Sequence, residues 1–270
     1  MAATASNTQM MHSTDQGRLV VVGCGLQPGR HASQRTESEI RRAEVVFALA
    51  EPFAYRWIST LNDEVRNLCE HYGDDRDRRE SYAAMEHAIL DEVRRGRHVC
   101  GVFYGHPGVF ARVPHRALHL ARQEGYPASM EPGISAEACL YADLGIDPGD
   151  RGVLSWEATQ FLVQERAVDP SALVLLWQVA LTGNLDCIGF EPDPDRLQLL
   201  VDKLLRWYEP DTKIILYEAA RLPIEAYRAE EMALADLPQA RFMEYTTLVI
   251  PPGREPEPDQ AMLQKLSETA

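Results

Sequence analysis

Residues Arg18 to Gly25 (RLVVVGCG) form a β-branched apolar run that stops on glycines, the pattern of a strand buried on both faces. His98 to Tyr104 (HVCGVFY) repeats that pattern, and Leu173 to Ala180, Lys213 to Glu218 and Thr246 to Ile250 predict three further strands. Between them the apolar period lengthens toward 3.6. Thr36-Glu37-Ser38-Glu39 reads as a capping box opening a helix through Ile40 to Val46 (IRRAEVV). Ala48 to Leu61 and Arg78 to Arg95 also predict helices, the second with Tyr82, Met85, Ala88, Ile89 and Val93 on one stripe. Pro114 to Gln123, Ser135 to Leu144 and Leu197 to Tyr208 complete the helical segments, with a last one from Pro258 to Glu268. Gly105-His106-Pro107-Gly108 and Ser129 to Gly133 read as turns.

Helix breakers concentrate in Gly145 to Gly152 (GIDPGDRG), which places a domain boundary there. The expected organisation is a tail over 1–17, an N-terminal lobe over 18–147, a C-terminal lobe over 148–252 and a polar tail over 253–270. Strands alternating with helices in both halves predict an α/β protein of two lobes with largely parallel or mixed sheets.

Charge narrows the partners. The 270 residues carry 41 Asp and Glu against 27 Lys and Arg, a net charge of −14. Such a surface repels phosphate backbones and anionic lipid headgroups. The densest basic cluster, Arg94-Arg95-Gly96-Arg97, ends a helical stretch, where cations are expected. Nucleic acid and membrane are therefore not expected partners. No apolar run approaches the ~20 residues needed to cross a bilayer. Met1 to Gly17 is polar and lacks an apolar targeting core. Cys24, Cys69, Cys100, Cys139 and Cys187 are odd in number and form no CxxC pair, which points to a soluble protein of a reducing compartment, the cytoplasm.

Four stretches carry candidate chemistry. Gly23-Cys24-Gly25-Leu26-Gln27-Pro28-Gly29 follows the first strand, but its third glycine falls one place late for a dinucleotide cradle and the helix starts too far on. It remains a bare turn that lets a ligand approach the strand end. Tyr104 to Phe110 (YGHPGVF) offers a rigid loop at a strand's carboxyl edge, where His106 is either a base or a hydrogen-bonding strut. Behind it, His115 and His119 share a helix face but lack a third ligand, so they read as a surface helix. In Glu131 to Glu137 (EPGISAE), Ser135 caps a helix whose first amides could also meet a carboxylate. Arg78 and Tyr82 lie four apart at the start of a helix, a guanidinium and a hydroxyl able to stabilise a developing anion.

Together these stretches resemble the tetrapyrrole-methylase superfamily of S-adenosylmethionine-dependent methyltransferases, and within it the borosin peptide-backbone α-N-methyltransferases. The resemblance rests on Arg78-Arg79-Glu80-Ser81-Tyr82, YGHPGVF, Met130 to Asp143 (MEPGISAEACLYAD), Gly145 to Pro148, Tyr217-Glu218-Ala219-Ala220 and Leu248 to Pro252, and spans about residues 18 to 252. It implies the two-lobed fold of that superfamily, with the cofactor S-adenosylmethionine in the cleft between lobes. The cofactor residues it implies are Gly25, Tyr104, His106, Val109, Phe110, Ser135, Ala136, Gln178, Tyr217, Glu218 and Ala219. The catalytic group it implies is Tyr72, Arg78 and Tyr82. Cys69 stands where some fused relatives have another active-site tyrosine, so no role for that hydroxyl transfers. A homodimer is implied as well.

The implied chemistry suits these side chains. An amide nitrogen is a poor nucleophile because its lone pair is delocalised into the carbonyl. It must lose its proton to attack a sulfonium methyl, and charge then gathers on oxygen. A guanidinium stabilises that charge without surrendering a proton, and a tyrosine of lowered pKa could relay the amide proton. This chemistry needs no metal. Fused relatives carry their substrate as a C-terminal extension; Gly253 to Ala270 is polar and charged, so the expected substrate is a separate precursor peptide. The rival enzyme reading is a tetrapyrrole C-methyltransferase, whose polycarboxylate substrate would favour a basic cleft. The rival outside enzymes is a silent cofactor- and peptide-binding module, which would need neither Arg78 nor Tyr82.

Overall fold

The computed structural model describes residues 16–73 and 77–269. The chain divides into two compact units, one running to Tyr72 and resuming over Ser81–Gly133, the other made of Gly73–Glu80 and everything from Ile134 onward. The breaker-rich segment where sequence placed the boundary lies inside the second unit. Gly145 there is a left-handed helix cap and Asp147 caps the short helix that follows. Of the tail expected over 1–17, residues 1–15 lie outside the described residues.

The first unit runs β1 (Arg18–Gly23), α1 (Pro28–His31), α2 (Gln34–Arg42), β2 (Val45–Leu49), α3 (Pro52–Ser59), β3 (Val65–Asn67), α4 (Arg78–Arg94, its first turn counted with the second unit), β4 (His98–Phe103), α5 (Arg112–Gln123) and β5 (Ala128–Glu131). Its strands order β3-β2-β4-β1-β5, and every pairing is parallel. The continuous apolar runs sort by the two-residue period of a strand. Leu19, Val21, Val45, Phe47 and Val99 pack under Met85, Ile89 and Val93 of α4 and Val113, Ala117 and Ala121 of α5. Val20, Val22, Val46, Ala48, Cys100 and Val102 face Ile40 of α2 and Ala54 and Ile58 of α3. Each fully buried Val, Leu, Ile or Met among them contributes about 1.5–3 kcal/mol, so both faces hold the sheet.

Several elements differ from the sequence expectation. Ser33, not Thr36, caps α2, accepting from the Thr36 amide at 3.0 Å. The Thr36 hydroxyl instead donates to the Gly23 carbonyl at 3.2 Å, tying α2 to the first glycine turn. The helix expected through Val46 stops at Arg42, and Val45–Leu49 is strand β2; the helix expected over 48–61 starts only at Pro52, whose fixed φ suits a first helical position. Ser129 to Glu131, expected as a turn, lies in β5, and β3 is too short to register as a strand pattern.

The second unit runs α6 (Ala136–Leu144), α7 (Pro148–Arg151), β6 (Val153–Glu157), α8 (Ala158–Val163), β7 (Leu173–Trp177), α9 (Pro194–Leu204), β8 (Lys213–Glu218), β9 (Arg228–Ala233), β10 (Thr247–Ile250) and α10 (Gln260–Glu268). Its strands order β6-β7-β10-β8-β9; β6 and β7 pair in parallel and the rest antiparallel, a mixed sheet. Val174, Leu176, Ile214, Leu216, Leu248 and Ile250 pack on Phe161 of α8 and on Leu197, Leu200, Val201 and Leu204 of α9. Leu173, Leu175, Trp177, Tyr217 and Val249 cover Leu140 of α6 on the other face. Lys203, buried in α9, donates to the carbonyls of Phe161, Leu162 and Gln164 at 2.7, 3.0 and 2.6 Å. An ammonium there satisfies the last carbonyls of α8, which have no helical partner.

Candidate functional site

In the first unit the site residues sit in loops leaving the carboxyl ends of parallel strands, where open α/β sheets bind ligands. Gly25 and Gly105 exchange both backbone hydrogen bonds, Gly25 N–H to Gly105 O at 3.2 Å and the reverse at 2.9 Å. Both are left-handed, φ +68° and +65°, a conformation that glycine adopts without a Cβ clash. A Cβ on Gly25 would lie 2.1 Å from the His31 Cβ. The space beside Gly25 thus belongs to His31, whose Nδ1 accepts from the Leu26 and Gln27 amides at 3.2 and 3.3 Å. A side chain at Gly25 would therefore meet His31 first. Gly23 and Gly133 are equally close-packed, each with a hypothetical Cβ within 2.5 Å of the Gly105 carbonyl oxygen.

Two histidines, one in the YGHPGVF loop and one on α5, hold that loop in shape. His106 Nδ1 accepts from the Gly108 amide at 2.9 Å, the strut role. His115 Nε2 donates to the Gly108 carbonyl at 2.9 Å, so this histidine braces the same loop. That bracing leaves Tyr104, Val109 and Phe110 at 56, 38 and 51% exposure. Phe110 also has φ +48°, which costs a non-glycine residue energy that the surrounding loop must offset. Large apolar groups are thus held outward at the strand end.

Tyr72 and Tyr82 meet edge to face, with ring centroids 6.3 Å apart and planes at 81°. Burial, and next the neighbouring Tyr82, Tyr104 and Cys69, push the Tyr72 phenol up from its ordinary value. The lowered tyrosine pKa considered from sequence is therefore not found at Tyr72. Its ring is still 36% exposed; solvent tempers the shift without reversing it. Cys69 is half-buried, its Sγ 3.7 Å from the Ala50 carbonyl, with burial the main cause of its raised pKa.

The second unit carries the remaining candidates. Ser135 caps α6, accepting from the Ala138 amide at 3.1 Å, and Ala136 begins that helix. Gln178, just past β7, is exposed between buried Trp177 and Val179 and left-handed at φ +55°. Tyr217 is 1% exposed and donates its hydroxyl to Asp143 Oδ2 at 2.6 Å; burial and then this bond push its pKa upward. The Glu218 carboxylate accepts from Arg228 Nη1 and from the Thr246 hydroxyl, both at 2.6 Å. Tyr217 and Glu218 thus spend their side chains fixing the end of β8, leaving Ala219, half-buried, to follow. Arg78 opens α4, its amide donating to Cys187 O at 3.2 Å and its guanidinium carbon 5.1 Å from the Phe190 ring centroid. Sequence reasoning missed Asp143, Thr246, Arg228 and Phe190. Asp143 was within reach, one helical turn beyond Cys139 on α6, but Phe190 lies in a loop without periodicity.

Gly25, Tyr104, His106, Val109, Phe110, Tyr72 and Tyr82 are therefore gathered in the first unit. Arg78, Ser135, Ala136, Gln178, Tyr217, Glu218 and Ala219 are gathered in the second. The fold is thus an α/β protein with two five-stranded sheets, whose first-unit loops are closed by glycine backbone and bear exposed aromatics. Residues 18–234 match the family model described as tetrapyrrole (corrin/porphyrin) methylases, and the chain belongs to that family. Solved structures agree on the fold. The uroporphyrin-III C-methyltransferase of Thermus thermophilus aligns with a TM-score of 0.63 at 21% identity, over 87% of this chain and 92% of that one. A cobalt precorrin-4 methyltransferase aligns at 0.65 and 14%, over 90 and 98%. Relatives with higher identity are named as methyltransferase and peptide precursor in one. The dendrothelin A precursor of Dendrothele bispora is 38% identical over 88% of this chain and 58% of its own length. A type I borosin precursor of Coprinopsis marcescibilis is 38% identical over 82 and 57%. The omphalotin A precursor of Omphalotus olearius is 35% identical over 88 and 58%. The chain thus spans somewhat under two thirds of the length of these relatives. Among the described residues no helix is long and apolar enough to cross a membrane.

Proposed function

We infer that this protein is an S-adenosylmethionine-dependent methyltransferase acting on backbone amide nitrogens of a precursor peptide. The observation that carries the reading is 38% identity to a methyltransferase/cyclic-peptide precursor over 88% of the chain, with Tyr72, Arg78 and Tyr82 present as the implied catalytic group. The residues present fit the cofactor. In the first unit the half-exposed aromatics Tyr104 and Phe110 suit an adenine or a sulfonium; in the second, the exposed Gln178 side chain and first amides of α6 suit polar groups of a ligand. When bound, the cofactor supplies an electrophilic methyl on sulfur.

The chain's own residues do the rest. The Arg78 guanidinium holds the amide oxygen as charge builds on it. The Tyr72 phenol stays protonated and donates, so proton transfer falls to Tyr82, whose oxygen takes the amide proton while its own passes to water. Tyr217, Glu218 and their partners set the end of β8. Binding in a fixed pose contributes alignment.

A separate precursor chain and a homodimer belong to this proposal. Incubation of the protein with S-adenosylmethionine and candidate peptides supplied in trans, read by fragmentation mass spectrometry, tests it. Added methylenes on backbone nitrogens are expected. Methylation of side chains, or methylated uroporphyrinogen from the same preparation, overturns the reading.

A further inference from the structure

Arg78 occupies an awkward place. As the first residue of α4 it puts a cation at the end of a helix where the macrodipole is positive and carboxylates are favoured. Its neighbour Asp77 gives its carboxylate to Arg79, at 2.7 Å from Nη2 and 2.8 Å from Nε. Among the described residues no ion pair reaches the Arg78 guanidinium. What does reach it is the Phe190 ring, 5.1 Å from the guanidinium carbon.

The loop bearing Phe190 is built to stay in place. Thr159 of α8 accepts from the Gly183 amide and donates to Leu181 O, both at 3.1 Å, rooting the loop in the core. The Asn184 side-chain amide donates to Ile188 O at 2.8 Å, pinning its far side. Cys187 is held left-handed at φ +58°, and that turn aims its carbonyl at the Arg78 amide, 3.2 Å away. One loop therefore grips Arg78 twice, at the backbone and at the side chain. Phe190 remains 44% exposed, although a ring of that size could have been buried for more stability.

We propose that Phe190 is a positioning residue for Arg78, its ring face fixing the guanidinium so that the in-plane N–H groups stay directed at the substrate amide oxygen. This rests on the catalytic role given to Arg78 above. A carboxylate would hold the guanidinium more strongly, but it would occupy those same N–H donors and cancel the charge that the developing anion needs. A π face holds the cation from above and leaves the edge free.

The test compares Phe190→Leu, Phe190→Tyr and the parent in the full chain, with a peptide that the parent methylates. Phe190→Leu is expected to lower kcat about 10-fold or more with KM for both substrates little changed, the mark of an interaction made in the transition state. Phe190→Tyr, which keeps the π face, is expected to restore the rate to within about 3-fold of the parent. In an Arg78→Ala background, Phe190→Leu should cost nothing further. Nitrogen-15 NMR of the arginine side chains supplies a readout independent of turnover. The Arg78 Nε–H signal, assigned by its loss in Arg78→Lys, should be ring-current shifted in the parent and move toward the random-coil position in Phe190→Leu. Parent-like kcat in Phe190→Leu, equal loss in Phe190→Tyr, or a full additional loss in the Arg78→Ala background overturns the proposal. If the parent methylates no peptide, the functional reading fails, and an unshifted Arg78 signal would then sink the contact as well.

Discussion

Gly25 and Gly105 pair with each other backbone to backbone, joining the loop after β1 to the loop after β4 through a two-residue antiparallel bridge. The two strands themselves run parallel with β1 beside β4, and the chain bends at both left-handed glycines where the bridge forms. The bridge fixes where Tyr104 leaves its strand.

Gly25→Ala should therefore damage the site by displacing the loop. The new Cβ meets His31 Cβ at 2.1 Å and sits at φ +68°. Calorimetry should show S-adenosylmethionine affinity at least about 10-fold weaker, since that corresponds to only about 1.4 kcal/mol. Adding His31→Gly removes the clash and should recover part of the loss. No recovery would mean that the positive φ, or direct crowding of the ligand, dominates.

Arg78→Ala and Tyr82→Phe should each cut turnover by about 10²-fold or more with cofactor affinity nearly intact, as expected for lost transition-state stabilisation. Parent rates in both would remove the imidate mechanism from these residues.

Because its pKa is pushed up, Tyr72 should stay neutral through the whole alkaline range of an assay. The pH–rate profile of Tyr72→Phe should then keep any alkaline limb the parent shows between about pH 8 and 10. A limb that vanishes in the variant would show Tyr72 ionising in that range.

His98 opens β4 in a buried polar cluster. Its Nδ1 lies 2.9 Å from Arg18 Nη2, its Nε2 3.6 Å from Glu39, and its amide donates to Glu44 at 2.8 Å. Nδ1 also lies 3.1 Å from the Arg42 carbonyl oxygen, so it sits between a donor and an acceptor. Burial, then the Arg18 charge, lower its pKa from 6.5. The unfolded chain binds this proton more readily, so the stabilisation is present above pH 6.5 and is lost as pH falls toward the lower folded value. Urea midpoints should drop over that window, and His98→Gln should flatten the drop. Equal slopes in parent and variant would show that other groups cause it.

Lys203→Met keeps the stem but removes the ammonium from three carbonyls. The loss expected is about 2–3 kcal/mol, the range for hydrogen bonds to charged groups and the carbonyls left unpaired, measured as a lower urea midpoint. A neutral outcome would mean that water replaces the ammonium.

The sequence announced those parts whose signal is local. β1, β4, β7, β8 and β10 declared themselves because continuous β-branched runs have few other uses. YGHPGVF and EPGISAE stood out through glycine and proline at strand ends. The segment 45–59 misled because its apolar residues satisfy both periods; only Pro52 marks where strand gives way to helix. Short β3 and charged, half-exposed β9 become strands through their neighbours in the sheet, which a single-chain pattern does not contain. The partners of the site residues were hidden for the same reason. Asp143 lies 74 residues from Tyr217 and Thr246 28 from Glu218. Phe190 meets Arg78 only because a loop of positive-φ residues brings it back.

The cysteines have a practical consequence for that loop. Burial pushes the thiols of Cys24 and Cys139 up to about 12 and about 11, and raises those of Cys69 and Cys100 too, which starves all four of the thiolate an alkylating reagent needs. Cys187 is half-exposed on the segment that grips Arg78. A maleimide dye or a nitroxide added at neutral pH should accordingly settle there first, turning the native chain into its own spectroscopic probe of the Arg78 support without any engineered residue.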